Sequence, residues 1–205
     1  METRDAITSR RSVHDYLGVE IPDEDLETIF EAVRWAPSSY NLQPWEFLVC
    51  RSEENKQRLR ECAYDQAHVT EAGATIVAFG DMDRSAHAED VFRDQAEKGY
   101  TAPDRADELI ERMEDEDWRG NEEWVVQSTM IAATTLLYAA WDVGYATCPM
   151  GGWDGEAIVE EFDVPETWYP VLMITLGRVD EDGDEWQRER KSRRETGSFV
   201  HHGSV

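Results

Sequence analysis

The chain has 205 residues, of which 20 are Lys or Arg and 45 are Asp or Glu, a formal net charge of −25. That acidity argues against nucleic acid as a partner and against docking on anionic lipid, since both require a basic surface. No apolar run approaches the roughly 20 residues of a membrane-spanning helix. The opening Met1-Glu2-Thr3-Arg4-Asp5 has no apolar leader character, so a soluble cytoplasmic protein is expected. Hydrophobic residues make up 40% of the chain and eight are Trp, which suffices for a packed core in one domain spanning 1–205. Only Lys56, Lys98 and Lys191 stand against seventeen arginines. Heavy acid with little lysine resembles the surface of a halophile's protein, whose self-repulsion is screened by salt; an acidic mesophilic protein is the alternative. Cys50, Cys62 and Cys148 form no CxxC pair and the five histidines no HExxH. Neither a disulfide framework nor a metal site is expected.

In chain order, residues 3–10 predict a short helix leading into Ser9-Arg10-Arg11-Ser12. Asp23 is expected to cap a helix carrying Leu26, Ile29, Phe30 and Val33 on one face, ended by Pro37. Trp45–Cys50 reads as a strand, Ser52 as the cap of a polar helix to about Cys62, and Thr75–Phe79 as a second, buried strand. From Met82 to Glu123 the chain is polar and acidic, with two helical patterns around Pro103; such an excursion is solvated or builds a lid over a pocket. From about Glu122 to Val143 a long helix carries Val126, Met130, Ile131, Leu136, Leu137 and Trp141 nearly all round, and is therefore buried centrally or against a partner. Gly144 ends it. Tyr145–Cys148 leads into a Pro149-Met150-Gly151-Gly152 loop, Asp154 opens a helix to about Phe162, and Val171–Leu176 is a strong strand closed by Gly177. A polar tail from about 183 to 205 holds most of the late basic residues. The irregular order of strands and helices predicts an α+β fold.

Four stretches have chemical character. Arg10 and Arg11 beside Ser12 offer planar guanidinium forks that match phosphate; a surface salt-bridge pair is the structural alternative. Ser38, Ser39, Asn41 and Gln43, set between Pro37 and Pro44, supply hydroxyls and amides suited to the polar edge of a heterocycle, although these are also turn residues. In Pro149-Met150-Gly151-Gly152 the glycines let backbone approach a flat ligand, or simply form a turn. Arg188, Arg190, Lys191, Arg193 and Arg194 form a basic cluster able to return to a phosphate, dock on a partner, or remain a solvated tail.

In order and spacing these stretches resemble the nitroreductase family of FMN-dependent flavoproteins. Arg-Arg-Ser near the start, Ile21-Pro22 followed by Leu26, the run Ala36-Pro37-Ser38-Ser39-Tyr40-Asn41-Leu42-Gln43-Pro44-Trp45, the Met-Gly-Gly loop and the basic residues before Val200-His201 follow the family's sequence of motifs over roughly residues 4–201. The resemblance implies an α+β, nitroreductase-like fold with a central mixed sheet flanked by helices, in an intertwined homodimer with FMN at its interface. It implies that Arg10, Arg11, Ser12 and Arg193 serve the FMN phosphate and nearby polar edge. Ser38, Ser39, Asn41 and Gln43 would meet FMN bound mainly by the other subunit. Pro149, Met150, Gly151 and Gly152 would approach the isoalloxazine. His14 stands where the family commonly has Arg or Lys and is a further cofactor-binding candidate beside the phosphate, and the run 82–123 matches only in general character.

The implied activity is ping-pong hydride transfer from NADH or NADPH through flavin N5 to a nitroaromatic, quinone or related conjugated acceptor, with no separate acid–base residue. Tyr40, Trp124 and Trp153 are candidates to stack on acceptor rings, and are equally suited to core or rim packing. Other reductions or flavin chemistry on the same scaffold, a flavin-storage protein without NAD(P)H turnover, and a structural dimer that has lost FMN are the competing readings.

Overall fold

The structure is a computed structural model that describes residues 1–115 and 120–204. In chain order the elements are α1 (Thr3–Ser9), α2 (Asp23–Val33), β1 (Trp45–Cys50), α3 (Glu53–Cys62), α4 (His68–Glu71), β2 (Ala74–Asp81), α5 (Ala88–Glu97), α6 (Pro103–Glu114), α7 (Glu122–Asp142), β3 (Ala146–Met150), α8 (Gly155–Glu161), β4 (Trp168–Gly177) and α9 (Asp184–Gln187). The part of the acidic excursion at 116–119 lies outside the described residues.

Helix starts follow local chemistry. Ser52 accepts a hydrogen bond from Asn55 N at 3.2 Å, Asn121 from Trp124 N at 2.9 Å and Asp154 from Ala157 N at 3.1 Å, each satisfying an end donor of its helix. Pro103 occupies the first turn of α6, where its missing N–H costs nothing. Asp23 is not a cap as expected. Pro22 holds that position without a side-chain bond, and Asp23, Glu24 and Asp25 fill the first turn, where their charge favours the helix dipole.

The strands form one sheet in the order β1-β2-β4-β3, and all three pairings are antiparallel. The mixed sheet implied by the resemblance therefore reduces to an antiparallel one, joined by a single isolated parallel bridge between Ser12 and Thr147 among the described residues. β1 and β3 lie at opposite edges. β2 is buried along its whole length, because both sheet faces are covered. On one face Ala74 and Ile76 pack with α2 and α7 residues such as Ile29, Ala133 and Leu136. On the other, Val77 and Phe79 pack with Leu59, Ile158 and Met173. Gly80 permits the approach of α7, since a Cβ there would meet the Val125 side chain at 2.5 Å.

Eight residues of α7, from Val125 to Ala140, are buried, whereas Met130 and Ile131 are 37% and 43% exposed. The helix thus has apolar side chains beyond those the protomer covers. The excursion is built as α5 and α6 packed on each other, with Phe92, Ala106, Leu109 and Met113 closing over Leu42.

Candidate anion cradle and flavin site

Val13 is 1% exposed and anchors the segment after α1 in the core, while Ser12 bridges to Thr147 of β3. The tail returns to this segment. Arg190 donates through Nη1 to the Ser9 carbonyl at 2.5 Å and through Nη2 to the Arg10 carbonyl at 3.0 Å. Arg11 donates to the carbonyls of Trp186 and Arg188, both at 2.9 Å, and its guanidinium lies 5.3 Å from the Trp186 ring. Between the two segments is a cavity of about 210 Å³, lined by Arg10, Arg11 and Ser12 on one side and by residues 188–191 and Arg193 on the other. Six cationic side chains and one carboxylate face it, in a chain of net charge −25. Arg10 Nη1 is buried without a hydrogen-bond partner, as is Thr147 Oγ1 on the adjacent strand. A buried guanidinium nitrogen left unpaired costs free energy, and an anion in this cavity would supply its partner. Arg193 directs Nη1 to the carbonyls of Lys191 and Ser192 at 3.0 and 3.3 Å.

Residues 38–43 enter β1 through a tight turn. Tyr40, Asn41 and Gln43 have φ of 56°, 60° and 50°, three non-glycine residues in the left-handed region, each costing roughly 1–3 kcal/mol. Local bonds hold the loop. Ser38 Oγ accepts from Gln43 N at 2.9 Å, Gln43 Nε2 donates to the Asn41 carbonyl at 3.1 Å, and Gln95 of α5 donates to the Tyr40 carbonyl at 3.1 Å. Ser39 and Asn41 are exposed and Ser38 and Gln43 half-buried. The cavity lining that gathers Arg10, Arg11, Ser12 and Arg193 does not include this loop. The loop leads into one sheet edge, and Pro149–Gly152 runs along the other. Three strand spacings, about 14 Å, separate those edges.

Pro149 and Met150 belong to β3 rather than to a loop, opposite Ile174 and Met173. Edge strands accept proline, whose missing N–H need not break a ladder. The Met150 carbonyl accepts from Trp153 Nε1 at 2.8 Å, and the Gly152 carbonyl from Gln66 Nε2 at 2.6 Å. A Cβ on Gly151 would meet nothing within 4 Å, so the packing of this chain does not itself require glycine there. Met150, Gly151, Trp153 and Tyr169 border a second cavity of about 930 Å³.

His14 does not line the arginine cradle. Its Nε2 lies 3.4 Å from Cys148 Sγ, and its ring packs edge-to-face on His68 with centroids 4.7 Å apart. Of the aromatic candidates, Tyr40 is exposed against Phe92, Trp124 lies under the Arg84 guanidinium at 4.5 Å, and Trp153 borders the large cavity. Desolvation lowers the Arg84 pKa. His68, Thr147 and Trp186 were absent from the sequence expectations. Each is an isolated residue whose relevance comes from a partner far along the chain, so no spacing could mark it.

A family model described as the nitroreductase family matches residues 7–178. The YodC protein of Bacillus subtilis, which bears the name of a candidate NAD(P)H nitroreductase, is 31% identical over 86% of this chain and 89% of its own. A crystal structure of a candidate nitroreductase, YdfN of Bacillus subtilis, superposes with a TM-score of 0.87 at 25% identity, covering 98% of each chain. A second, from Exiguobacterium sibiricum and solved in complex with FMN, gives a TM-score of 0.84 at 26% identity over 98% of this chain and 97% of that one.

Proposed function

The chain belongs to the nitroreductase family, and from that premise we propose that it is an FMN-dependent oxidoreductase drawing electrons from NADH or NADPH. The acceptor is a nitroaromatic, a quinone or a related conjugated electrophile. The observation that carries the reading is the cradle of about 210 Å³ with its buried, unpartnered Arg10 Nη1. A phosphate monoester supplies the acceptor oxygens this donor lacks, and charge-assisted bonds of that kind are the strong ones. Gly151 fits the same group, because the space that its missing Cβ leaves is open to a planar ring.

When bound, FMN would supply two-electron chemistry between NADH or NADPH and the acceptor, in a ping-pong cycle on this reading. The protein supplies placement. Arg10 would donate to the phosphate, with Ser12 and Arg193 at the cavity wall, while Arg11 and Arg190 hold the tail closed against residues 9–11. Pro149, Met150, Gly151 and Gly152 would border the ring. His14, buttressed by His68 and Cys148, lies beyond the cradle rather than in it.

The second half of the site comes from another copy of the chain. Ser38, Ser39, Asn41 and Gln43 sit across the sheet from Pro149–Gly152, too far to serve the same ring within one protomer. The exposed Met130 and Ile131 on α7 supply apolar surface for such a homodimer. We further place the protein in the cytoplasm and attribute its acidic surface to a halophilic origin.

The test is an absorption spectrum of the purified protein in high salt, before and after anaerobic NADH or NADPH. A flavin band that bleaches within seconds supports the reading. A band that persists moves the protein to flavin storage or another donor, and no band after adding FMN refutes it.

A further inference from the structure

Residues 38–43 hold a backbone that side-chain-bearing residues ordinarily avoid, with φ of 56° at Tyr40, 60° at Asn41 and 50° at Gln43. Such a turn persists only where its surroundings over-determine it. Inside the loop Asn41 N donates to the Ser38 carbonyl and Leu42 N to the Ser39 carbonyl, both at 3.1 Å, and Gln43 N donates to Ser38 Oγ at 2.9 Å. None of these bonds reaches the Tyr40 carbonyl. Its donor comes from the acidic excursion: Gln95 Nε2 of α5, at 3.1 Å. We propose that Gln95 is a positioning residue for the flavin site, fixing through the Tyr40 carbonyl the turn that presents Ser39, Asn41 and Gln43 to the cofactor. The proposal rests on the reading that this loop meets FMN bound mainly by the other subunit.

The place of Gln95 on its helix supports that role. Ala88, Val91 and Phe92 are the buried residues of α5, and Gln95 continues their stripe at helical spacing. It is a half-buried polar residue at the end of an apolar face. Leucine would suit such a position. An amide there needs a partner, and the Tyr40 carbonyl supplies it. The same stripe grips the loop on either side of that bond. Leu42, 2% exposed, is enclosed with Ala88, Phe92, Ala106, Leu109 and Met113. The Tyr40 ring meets Phe92 edge-on, with centroids 6.2 Å apart. Apolar packing of Leu42 is non-directional and fixes where the loop lies. The Gln95 bond is directional and fixes which way the Tyr40 peptide faces. The excursion thereby sets the geometry of a cofactor loop without lining the anion cradle. Because that loop serves the other protomer's flavin, α5 of one protomer tunes the site of its partner.

Hydrogen exchange and FMN titration of the full-length protein test it together. Gln95→Leu fills the stripe and removes the donor, Gln95→Glu keeps the shape and removes the donor, and Gln95→Lys returns an N–H. In the flavin-free protein the first two variants should speed exchange of the Asn41, Leu42 and Gln43 amides by roughly 2- to 12-fold, the loss of one hydrogen bond. They should raise the FMN dissociation constant by a similar factor. Gln95→Lys should recover part of both, which a merely structural role would not allow. The flavin-free melting temperature should stay within about 2 °C of wild type, and Glu97→Ala, at an exposed position of α5, should change neither readout. Exchange and FMN affinity in Gln95→Leu that match the wild type overturn the proposal and leave the flavin reading intact. Faster exchange with unchanged FMN affinity also overturns it, since the turn then has no bearing on the cofactor. A wild-type protein that takes up no FMN fails the flavin reading first and this proposal with it, so the two failures are distinguishable.

Discussion

Arg10→Ala separates the role of the cradle from that of the scaffold. The Arg10 backbone closes α1 by donating to the Ala6 carbonyl, and its own carbonyl receives Arg190; both bonds survive the substitution. What is removed is a guanidinium whose Nη1 is buried and unpaired in the flavin-free chain. Stability without flavin should therefore be unchanged or slightly higher, since an unsatisfied donor disappears. With flavin, a charge-assisted contact worth about 1.5–3 kcal/mol is lost, so the FMN dissociation constant should rise by roughly 10- to 150-fold. At saturating FMN the same loss lowers the holoprotein midpoint by about 3–12 °C, taking 2–4 °C per kcal/mol for a chain of this size. Flavin fluorescence titration and paired thermal melts with and without FMN read both sides. Wild-type FMN affinity in Arg10→Ala would refute the assignment, and equal destabilisation of both forms would show that Arg10 is structural.

The other expectations concern the ring site, the sheet and the surface. Gly151→Ala should leave the flavin-free melt within about 0.5 kcal/mol of wild type, because its Cβ meets nothing, yet weaken FMN binding; unchanged affinity would remove Gly151 from the ring site. Burial pushes the Cys50 thiol from 9.0 up to about 11, so the folded chain holds this proton where the unfolded chain releases it. Stability from this group is complete below pH 9 and should fall by about 2–3 kcal/mol as pH rises through 11. Cys50→Ala should flatten that alkaline slope in melts taken at successive pH values. Raising NaCl should raise both the melting temperature and kcat/KM for the anionic NAD(P)H, since salt screens a net charge of −25; indifference to salt would refute the halophilic reading.

Local chemistry made much of the chain legible in advance. Ser52 and Asp154 cap their helices, two helices lie around Pro103, and the apolar pattern from Glu122 to Asp142 is one long helix. The Arg10-Arg11-Ser12 and Ser38–Gln43 stretches were visible because arginine pairs and proline-framed hydroxyls and amides are local patterns. Pairing across the sheet was not visible. Nothing near Pro149 announces that it lies opposite Ile174, so the local pattern there suggests a loop where the structure has a strand. Nothing near Pro22 shows that the side chain expected to cap α2 sits one residue inside it. The docking of Arg190 on Ser9 and the convergence of His14, His68 and Cys148 depend on three-dimensional closure that no residue window contains.

The cradle is stitched from residues 9–12 and 186–193, almost the whole chain apart in sequence. Closing so long a loop is entropically costly and comes late in folding. During synthesis, the sheet and α7 are complete before the arginines that finish the basic cradle exist. If the cradle holds the flavin phosphate as proposed, flavin capture becomes a final inspection: a chain stalled or clipped before residue 188 would keep its core but lose its cofactor. A single proteolytic cut in the exposed tail would discharge the enzyme without unfolding it.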